Sequence, residues 1–557
     1  MSRIFDNFEM SKRAFIAQQV VLQTIGHNLA NAGTPGYTRQ RVELAPVRNQ
    51  LGVEVTSINR IRDRYLDFSV MAEGQTLGQY RAHQGALQRL QAALNDPPDT
   101  GLTSVLDEFL QGFHALAVDP TDQALRVTVR DGGARLASTI RELRARLDQL
   151  QSDFSIQIHQ NVTTANDLLG QIAELNRQIR ASNGGPAPND LLDTRDQIVD
   201  RLNQIVGVSA TDRTDGTVQL AITGTGVLVV DGVRSTPLSA TYGSITDSVE
   251  LSVNGLDVTP RGGALSALLA IRNSPTGPVK QAAADLDSLA RTIVEEVNRL
   301  HASGTGLTEH ATLTSLNTVT SSSAALDAAG LAFTPGSGSF DVIVHDAAGA
   351  VVSEVTVSIT AGVTSLDDVA AAIDADPNLQ ATVSGGALTI AAGSGQTFTF
   401  ANDTSDTLAA LGINVFFTGS RAGDIALAAP VAADANLIAA ARADAAGLVH
   451  AGDGATALDI GRLGTALSMN GGTATFAGFL GTVIGRVGSQ AAAADDAVDR
   501  QEAAVAVVTS LQQQTSGVSV DEEMIALTQA QYAYEAAAKY MGTVQTMIDS
   551  LLEMVRT

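Results

Sequence analysis

Eight histidines (His27, His83, His114, His159, His301, His310, His345 and His450) are the side chains best able to ligate a metal or move a proton in this chain of 557 residues. No two of them stand three or four residues apart, the spacing that puts two ligands on one helix face, so zinc chemistry is not expected and most are read as core or surface residues. Gly224-Thr-Gly226 lacks the third glycine of a dinucleotide loop and lies between two strand-like runs, which predicts a turn. Asp374-Ala-Asp376 opens like a calcium loop, but Leu379 stands where the tight-turn glycine belongs and no glutamate closes it, so a helix end is expected. Zero cysteines exclude disulfides, thiolate metal sites and cysteine nucleophiles. Neither paired carboxylates nor a nucleophile constellation occur at a specific spacing. The chain therefore reads as a non-enzymatic protein with no catalytic residue, cofactor or metal.

What the residues do offer is packing. From Ile4 to Leu29 the positions Ile4, Phe8, Ser11, Phe15, Gln18, Leu22, Ile25 and Leu29 form a heptad seam with two polar interruptions. At the other end Leu527, Ala530, Tyr534, Ala537, Met541, Val544, Ile548, Leu551 and Val555 keep the same spacing without a polar break. Such helices are marginal alone, and burying each large seam residue contributes roughly 1.5 to 3 kcal/mol, so they should order only against another helix. Both lie at termini, where chains fray unless tied down, so pairing with each other or with neighbouring copies is expected.

Charge agrees with such a pairing. The net charge of −24 argues against nucleic acid or an anionic membrane as partner. Within that acidic total, residues 1–65 hold nine basic against five acidic side chains, and residues 515–557 hold six acidic against two basic. The two ends can attract, although solvated faces screened by salt explain the same counts. The run Ala14 to Leu22 is broken by Gln18 and Gln19, so no signal-peptide core is read, and composition alone would place the chain in the cytoplasm.

Between the ends, the periodicity predicts helices over Leu136–Ile179 (Leu143, Leu147, Leu150, Phe154, Ile158) and Leu286–Leu300 (Leu289, Ile293, Val297), parts of a long bundle. From Val208 to Pro260, short alternating runs such as Thr217–Leu220 and Val227–Val230, with Asp-Gly and Thr-Gly turns, read as a β insertion. A second β region spans about Ala325–Ile425. Phe340–His345, Val355–Ile359, Ala381–Ile390 and Thr397–Phe400 read as strands, and Ser365-Leu-Asp-Asp368 as a capping-box start for a helix through Ile373, giving a ββαββ module. The expected fold is α+β and multidomain. Its parts are 1–70 with 515–557 as paired terminal coiled-coil helices at the base, 71–310 with 441–514 as a helical bundle carrying a β insertion near 208–260, and 311–440 as a β-rich outer domain.

After the first helix comes Leu29-Ala-Asn-Ala-Gly-Thr-Pro-Gly-Tyr-Thr-Arg-Gln40. Gly33 suits a helix cap, Pro35-Gly36 the centre of a type II turn, and Tyr37 an apolar anchor with a hydrogen-bonding tip. Turn chemistry alone carries no function. The stretch Asn28 to Tyr37, however, resembles the N-terminal signature shared by rod, hook and hook-associated proteins of the flagellar axis. Tyr37-Thr-Arg-Gln40, Asn189-Asp-Leu-Leu-Asp-Thr-Arg-Asp-Gln-Ile-Val-Asp-Arg-Leu-Asn-Gln-Ile-Val-Gly207, Gly262-Gly-Ala-Leu-Ser-Ala-Leu-Leu-Ala-Ile-Arg272 and Gly517-Val-Ser-Val-Asp-Glu-Glu-Met524, running into Gln531 to Lys539, are similar to the hook-associated protein 1 family in particular.

That resemblance implies a structural subunit of the bacterial flagellum at the hook-filament junction, outside the cell, exported by the flagellar type III route without a cleaved signal peptide. Implied partners are the hook protein, the second junction protein, copies of itself in a ring and an export chaperone. The seams then become the expected assembly interface: Phe8, Phe15, Leu22, Ile25, Leu29 and Tyr37 with Leu527, Tyr534, Met541, Val544, Ile548 and Leu551. A hook or distal-rod subunit shares the N-terminal signature, but the 189–207 segment argues against it. A secreted adhesin using the β region is the rival from another class.

Overall fold

The computed structural model describes residues 2–47, 52–182, 188–243 and 248–556. Two compact units emerge, one from residues 1–87, 153–277 and 491–557, the other from 88–152 and 278–490. Three of the four boundaries fall within the long helices Arg64–Ala93, Gln123–Ala181 and Phe476–Ser516, and the fourth falls just before the helix Pro278–Ala302.

In the first unit, the N-terminal helix (Ser2–Ala30) packs along the C-terminal helix (Val520–Arg556), and an antiparallel hairpin (Gln40–Pro46 with Val53–Arg60) also lies against the N-terminal helix. The β insertion forms two antiparallel sheets. One orders 208–212, 218–222, 228–231 and 234–235; the other orders 238–242, 249–253 and 256–257. Gly224 and Gly226 sit in the turn between two of these strands with φ of 103° and 70°, as their position predicts.

Helical asparagines hold these strands by imitating a peptide group. Asn166 gives its Nδ2 to Leu238 O and accepts from Leu238 N. Asn176, fully buried, donates to Val218 O and Gly232 O and accepts from Val218 N. Asn273 does the same with Val249. A buried amide that presents donor and acceptor side by side satisfies edge backbone groups that water would otherwise have to reach. The segment after the helix Asn189–Ile205 closes on Gly207, where an added Cβ would lie 2.1 Å from Arg261 O, so only glycine lets these two chain passages touch.

The second unit is built on the helices Leu102–Val118, Pro278–Ala302 and Ala455–Arg462 with the first part of Gln123–Ala181. A knot of aromatic rings from Phe109, Phe113, Phe416 and Phe417 fills its interior, with centroids 4.8 to 5.5 Å apart. Asn298 repeats the amide device, accepting from Phe416 N and Phe417 N and donating to Phe417 O.

The β-rich part of this unit has one strand more than the ββαββ reading, giving ββαβββ. Its strands are 338–345, 351–359, 379–384, 387–392 and 397–401, with the helix Leu366–Asp374 between the second and third. Ser365 and Asp368 form the reciprocal capping box. Phe340, Val342, Phe398, Phe400, Leu366 and Ile373 close the core. Asp374 and Asp376 lie at the helix end, where each accepts a backbone N–H, from Ala381 and Asn378.

Two local expectations change. Ala381–Ile390 is not one strand but parts of two, because Gly385-Gly386 turns the chain into a hairpin. Gly33 does not cap the first helix and has no positive φ; the helix stops at Ala30, and Asn31 donates both its backbone N–H and its side-chain Nδ2 to the His27 carbonyl instead. The turn at Pro35-Gly36 is as read: Gly36 has φ of 74° and Tyr37 N donates to Thr34 O.

Candidate assembly site

The two terminal seams face each other within one chain. Phe15 stacks on Tyr534 at 4.6 Å between ring centroids, while Asn28 bonds Glu523, so advancing along one helix means retreating along the other and the pair is antiparallel. Ile25, Ala530 and Val544 are buried; Phe8, Leu22, Leu29, Leu527, Met541, Ile548 and Leu551 are half-buried. The interruption at Ser11 is buried and satisfied, its hydroxyl donating to Phe8 O. The side chains of Ile4 and Val555, at the outer ends of the seams, lie outside the described residues.

Tyr37 is not in the seam. It belongs to a polar clamp in which three sequence-distant motifs meet. Asn28 sits at its centre, buried, with every polar atom engaged: Nδ2 donates to Gln40 O (2.9 Å) and Glu523 Oε2 (3.0 Å), and Oδ1 accepts from Tyr37 OH (2.8 Å) and Gln40 N (3.0 Å). His27 Nδ1 lies 2.9 Å from the same tyrosine hydroxyl, which spends its proton on Asn28 and so accepts from the imidazole. Burial, with the negative charges of Asp190, Asp193 and Glu523, pushes the Tyr37 hydroxyl well above its ordinary range and keeps it a donor.

Arg39 reaches across to the other terminus. Its Nε donates to Glu523 Oε1 at 2.6 Å and its Nη1 to Glu522 Oε2 at 2.7 Å, while its backbone N–H bonds Ser516 O. The opposite charges of the two ends therefore meet in one partly buried pair, Glu523 being 3% exposed and Arg39 24%.

The third motif is the helix Asn189–Ile205. Asn189 donates to Gln40 Oε1 and Ile58 O, Gln197 to Pro35 O, and Asp193 accepts from Thr38 N at 3.0 Å and Arg60 Nη1 at 2.7 Å. Asp196 extends the ladder, accepting from Arg60 (2.9 Å) and Arg62 (2.5 Å). Burial pushes the Asp196 carboxyl up, but Arg62, Arg60 and Arg195 together hold it below the usual carboxylate range. Gly36 is the close-approach point. Beyond its positive φ, a Cβ there would lie 2.3 Å from Gln197 Nε2.

Among the described residues there is no group of three or more His, Asp or Glu placed to hold a metal ion, and no helix long and apolar enough to cross a membrane. The clamp can do one thing chemically: tie the N-terminal helix, the C-terminal helix and the 189–205 helix together through charge-assisted bonds. The family-like motifs at 28–40, 189–207 and 517–524 are the three walls of this site, and residues 87–314 match the family model for the flagellar hook-associated protein FlgK helical domain. The likeness is to the flagellar hook-associated protein 1 family.

Residues 512–554 also match the model for the flagellar basal body rod FlgEFG protein C-terminal region, and these contain the C-terminal seam from Leu527 to Leu551. Flagellar hook-associated protein 1 of Escherichia coli K12 is 25% identical over 97% of this chain and 97% of its own length. That of Bacillus subtilis is 29% identical over 55% of this chain and 68% of its own length. Among solved structures, the flagellar hook junction protein FlgK from Burkholderia pseudomallei has the same fold, with TM-score 0.54 and 18% identity, covering 81% of this chain and all of that one.

Sequence reasoning named the apolar seams and Tyr37 as site residues but assigned no role to Asn28, Arg39, Asp193 or Glu523. One signal was available: Glu523 stands seven residues before Ala530, on the seam register, and a carboxylate at a seam position must find a buried partner. Which partner it finds depends on contacts between segments hundreds of residues apart.

Proposed function

We propose that this protein is a structural, non-catalytic subunit of the bacterial flagellum that adapts hook to filament, and that its terminal helix pair, locked by the Asn28–Arg39–Glu523 clamp, is the part that enters the axial assembly. A surface left over by the pairing supports this reading. The C-terminal helix uses its heptad seam within the chain, yet Tyr540 and Met547, seven residues apart and one place ahead of seam positions, stay 42% and 57% exposed, and Leu552 stays 59% exposed on the other flank. A helix apolar across both seam and flanks is built for more than one neighbour, and water is a poor substitute for the second.

On this reading the neighbours are other copies in a ring, the hook protein on one side and the second junction protein on the other. Export follows the flagellar type III route to the outside of the cell, with a chaperone covering the seams beforehand. The test is deletion of the gene in its own bacterium, with electron microscopy of the cells and an assay of filament protein in the medium. Bare hooks with shed filament protein are expected; intact swimming filaments reject the proposal. A Met547→Glu variant, which leaves the internal seam intact, should fold and yet restore no filaments.

A further inference from the structure

Between Arg299 and Arg421 the chain has no lysine or arginine, so the β-rich module can acquire positive charge only at His301, His310 and His345. His301 is fully buried and held neutral, because its Nε2 accepts the Ala439 N–H while Nδ1 donates to Asn414 O. Burial also lowers the pKa of His310. His345 is placed differently. It lies 1% exposed at the end of the strand 338–345, where the pairing register shifts. Its Nε2 faces Gly447 O at 3.0 Å, and its Nδ1 faces Glu309 Oε2 at 3.3 Å. Both neighbours are acceptors, and only the doubly protonated ring can donate to both.

The two acceptors come from opposite ends of the module. Glu309 belongs to the segment that enters it and also accepts from Thr397 Oγ1 at 2.5 Å. Gly447 belongs to the segment that leaves it, and entry and exit are already paired by Thr305 N to Ala441 O and Leu307 N to Asn436 O. Other charged groups on the packed elements are Asp341 on the same strand, which accepts from Thr356 Oγ1 and Asn402 Nδ2, Glu354 on the paired strand, Asp346, which accepts from Ala348 N and Ala350 N, and Asp444 on the exit loop, which is paired with His450 at 3.1 Å. We propose that His345 is a proton-operated latch between the entry and exit segments of the β-rich module, shut while the ring carries two protons and released when it loses one.

The neutral ring can donate to Glu309 or to Gly447 but not to both, and its remaining lone pair then points at an oxygen. The Glu309 carboxylate 3.3 Å away, with Gly447 O and Asp346, holds the His345 pKa above its ordinary 6.5 against the opposing effect of burial, so the latch is released as the pH rises through that raised value.

Trypsin reads the latch in the full chain. Arg442, with a side chain 45% exposed, lies on the exit segment, and no tryptic site exists between Arg299 and Arg421 to confuse the fragment. Cleavage at Arg442, normalised to an unstructured reference peptide in the same tube, should rise about fivefold from pH 6.5 to 9, the equilibrium factor of one lost hydrogen bond. His345→Gln should be cleaved rapidly at every pH, and Glu309→Gln should show the rise at lower pH than the wild type. Should His345→Gln fail to fold, the wild-type and Glu309→Gln profiles decide by themselves. A wild-type profile flat across this range, or a Glu309→Gln profile superimposable on it, overturns the latch.

Discussion

Glu522 and Glu523 are adjacent carboxylates that bind the same arginine, and the clamp makes opposite predictions for them. Glu523 is 3% exposed and accepts from Arg39 Nε at 2.6 Å and Asn28 Nδ2 at 3.0 Å. Glu523→Ala strands a guanidinium N–H and a buried amide, and removing one partner of a buried charged pair costs roughly 3 to 5 kcal/mol. Arg39 is a quarter exposed and keeps Glu522, so the worked figure falls to about 2 to 4 kcal/mol. Glu522 is 63% exposed, and its replacement by alanine should cost well under about 1 kcal/mol, as for surface pairs. Hydrogen exchange of the helix Val520–Arg556 in the full chain measures the difference. Opening of that helix should become roughly thirty- to several-hundredfold more frequent in Glu523→Ala. Glu522→Ala should stay within about fivefold of wild type. Equal effects from the two changes would mean that net charge, not the buried bonds, joins the termini, and the clamp argument would fail.

Three further outcomes follow from the same geometry. Gly36→Ala meets both a positive φ and the Gln197 amide, so it should destabilise the first unit by about 1 to 3 kcal/mol in urea unfolding followed by circular dichroism; adding Gln197→Ala should recover only the steric part. Asn176→Asp replaces the amide that donates to Val218 O and Gly232 O by an acceptor, for a loss of about 2 to 4 kcal/mol by the same assay, moderated by Arg195 at 3.4 Å; a loss below about 0.5 kcal/mol would contradict the peptide-mimic account. Burial lowers the pKa of His301 to about 4 from an unfolded 6.5, so its neutral form contributes fully above pH 6.5 and that contribution drains away as the pH falls toward 4, by about 3 kcal/mol. Comparing urea midpoints of wild type and His301→Gln between pH 7.5 and 4.5 isolates this part from the carboxylates; parallel pH profiles would show that the imidazole is not held neutral.

Local periodicity was legible in the residues, because a helix or strand repeats its buried face every few positions. The seam at Leu527, Ala530, Tyr534, Met541, Val544 and Ile548 is the covered face of its helix, and the Ser365 capping box, the Gly224–Gly226 turn and the Pro35-Gly36 turn stand where nearest-neighbour chemistry puts them. The motifs at 28–40, 189–207 and 517–524 were legible as family likeness, not as a place. Only the tertiary structure brings Asn28, Asp193 and Glu523 to one clamp, gives the terminal helices to each other in antiparallel register, and leaves Tyr540 and Met547 uncovered. The physical reason is range. Hydrophobic period and turn preference act over a few residues, whereas a buried hydrogen bond is decided by whichever distant group has lost its water at the same point.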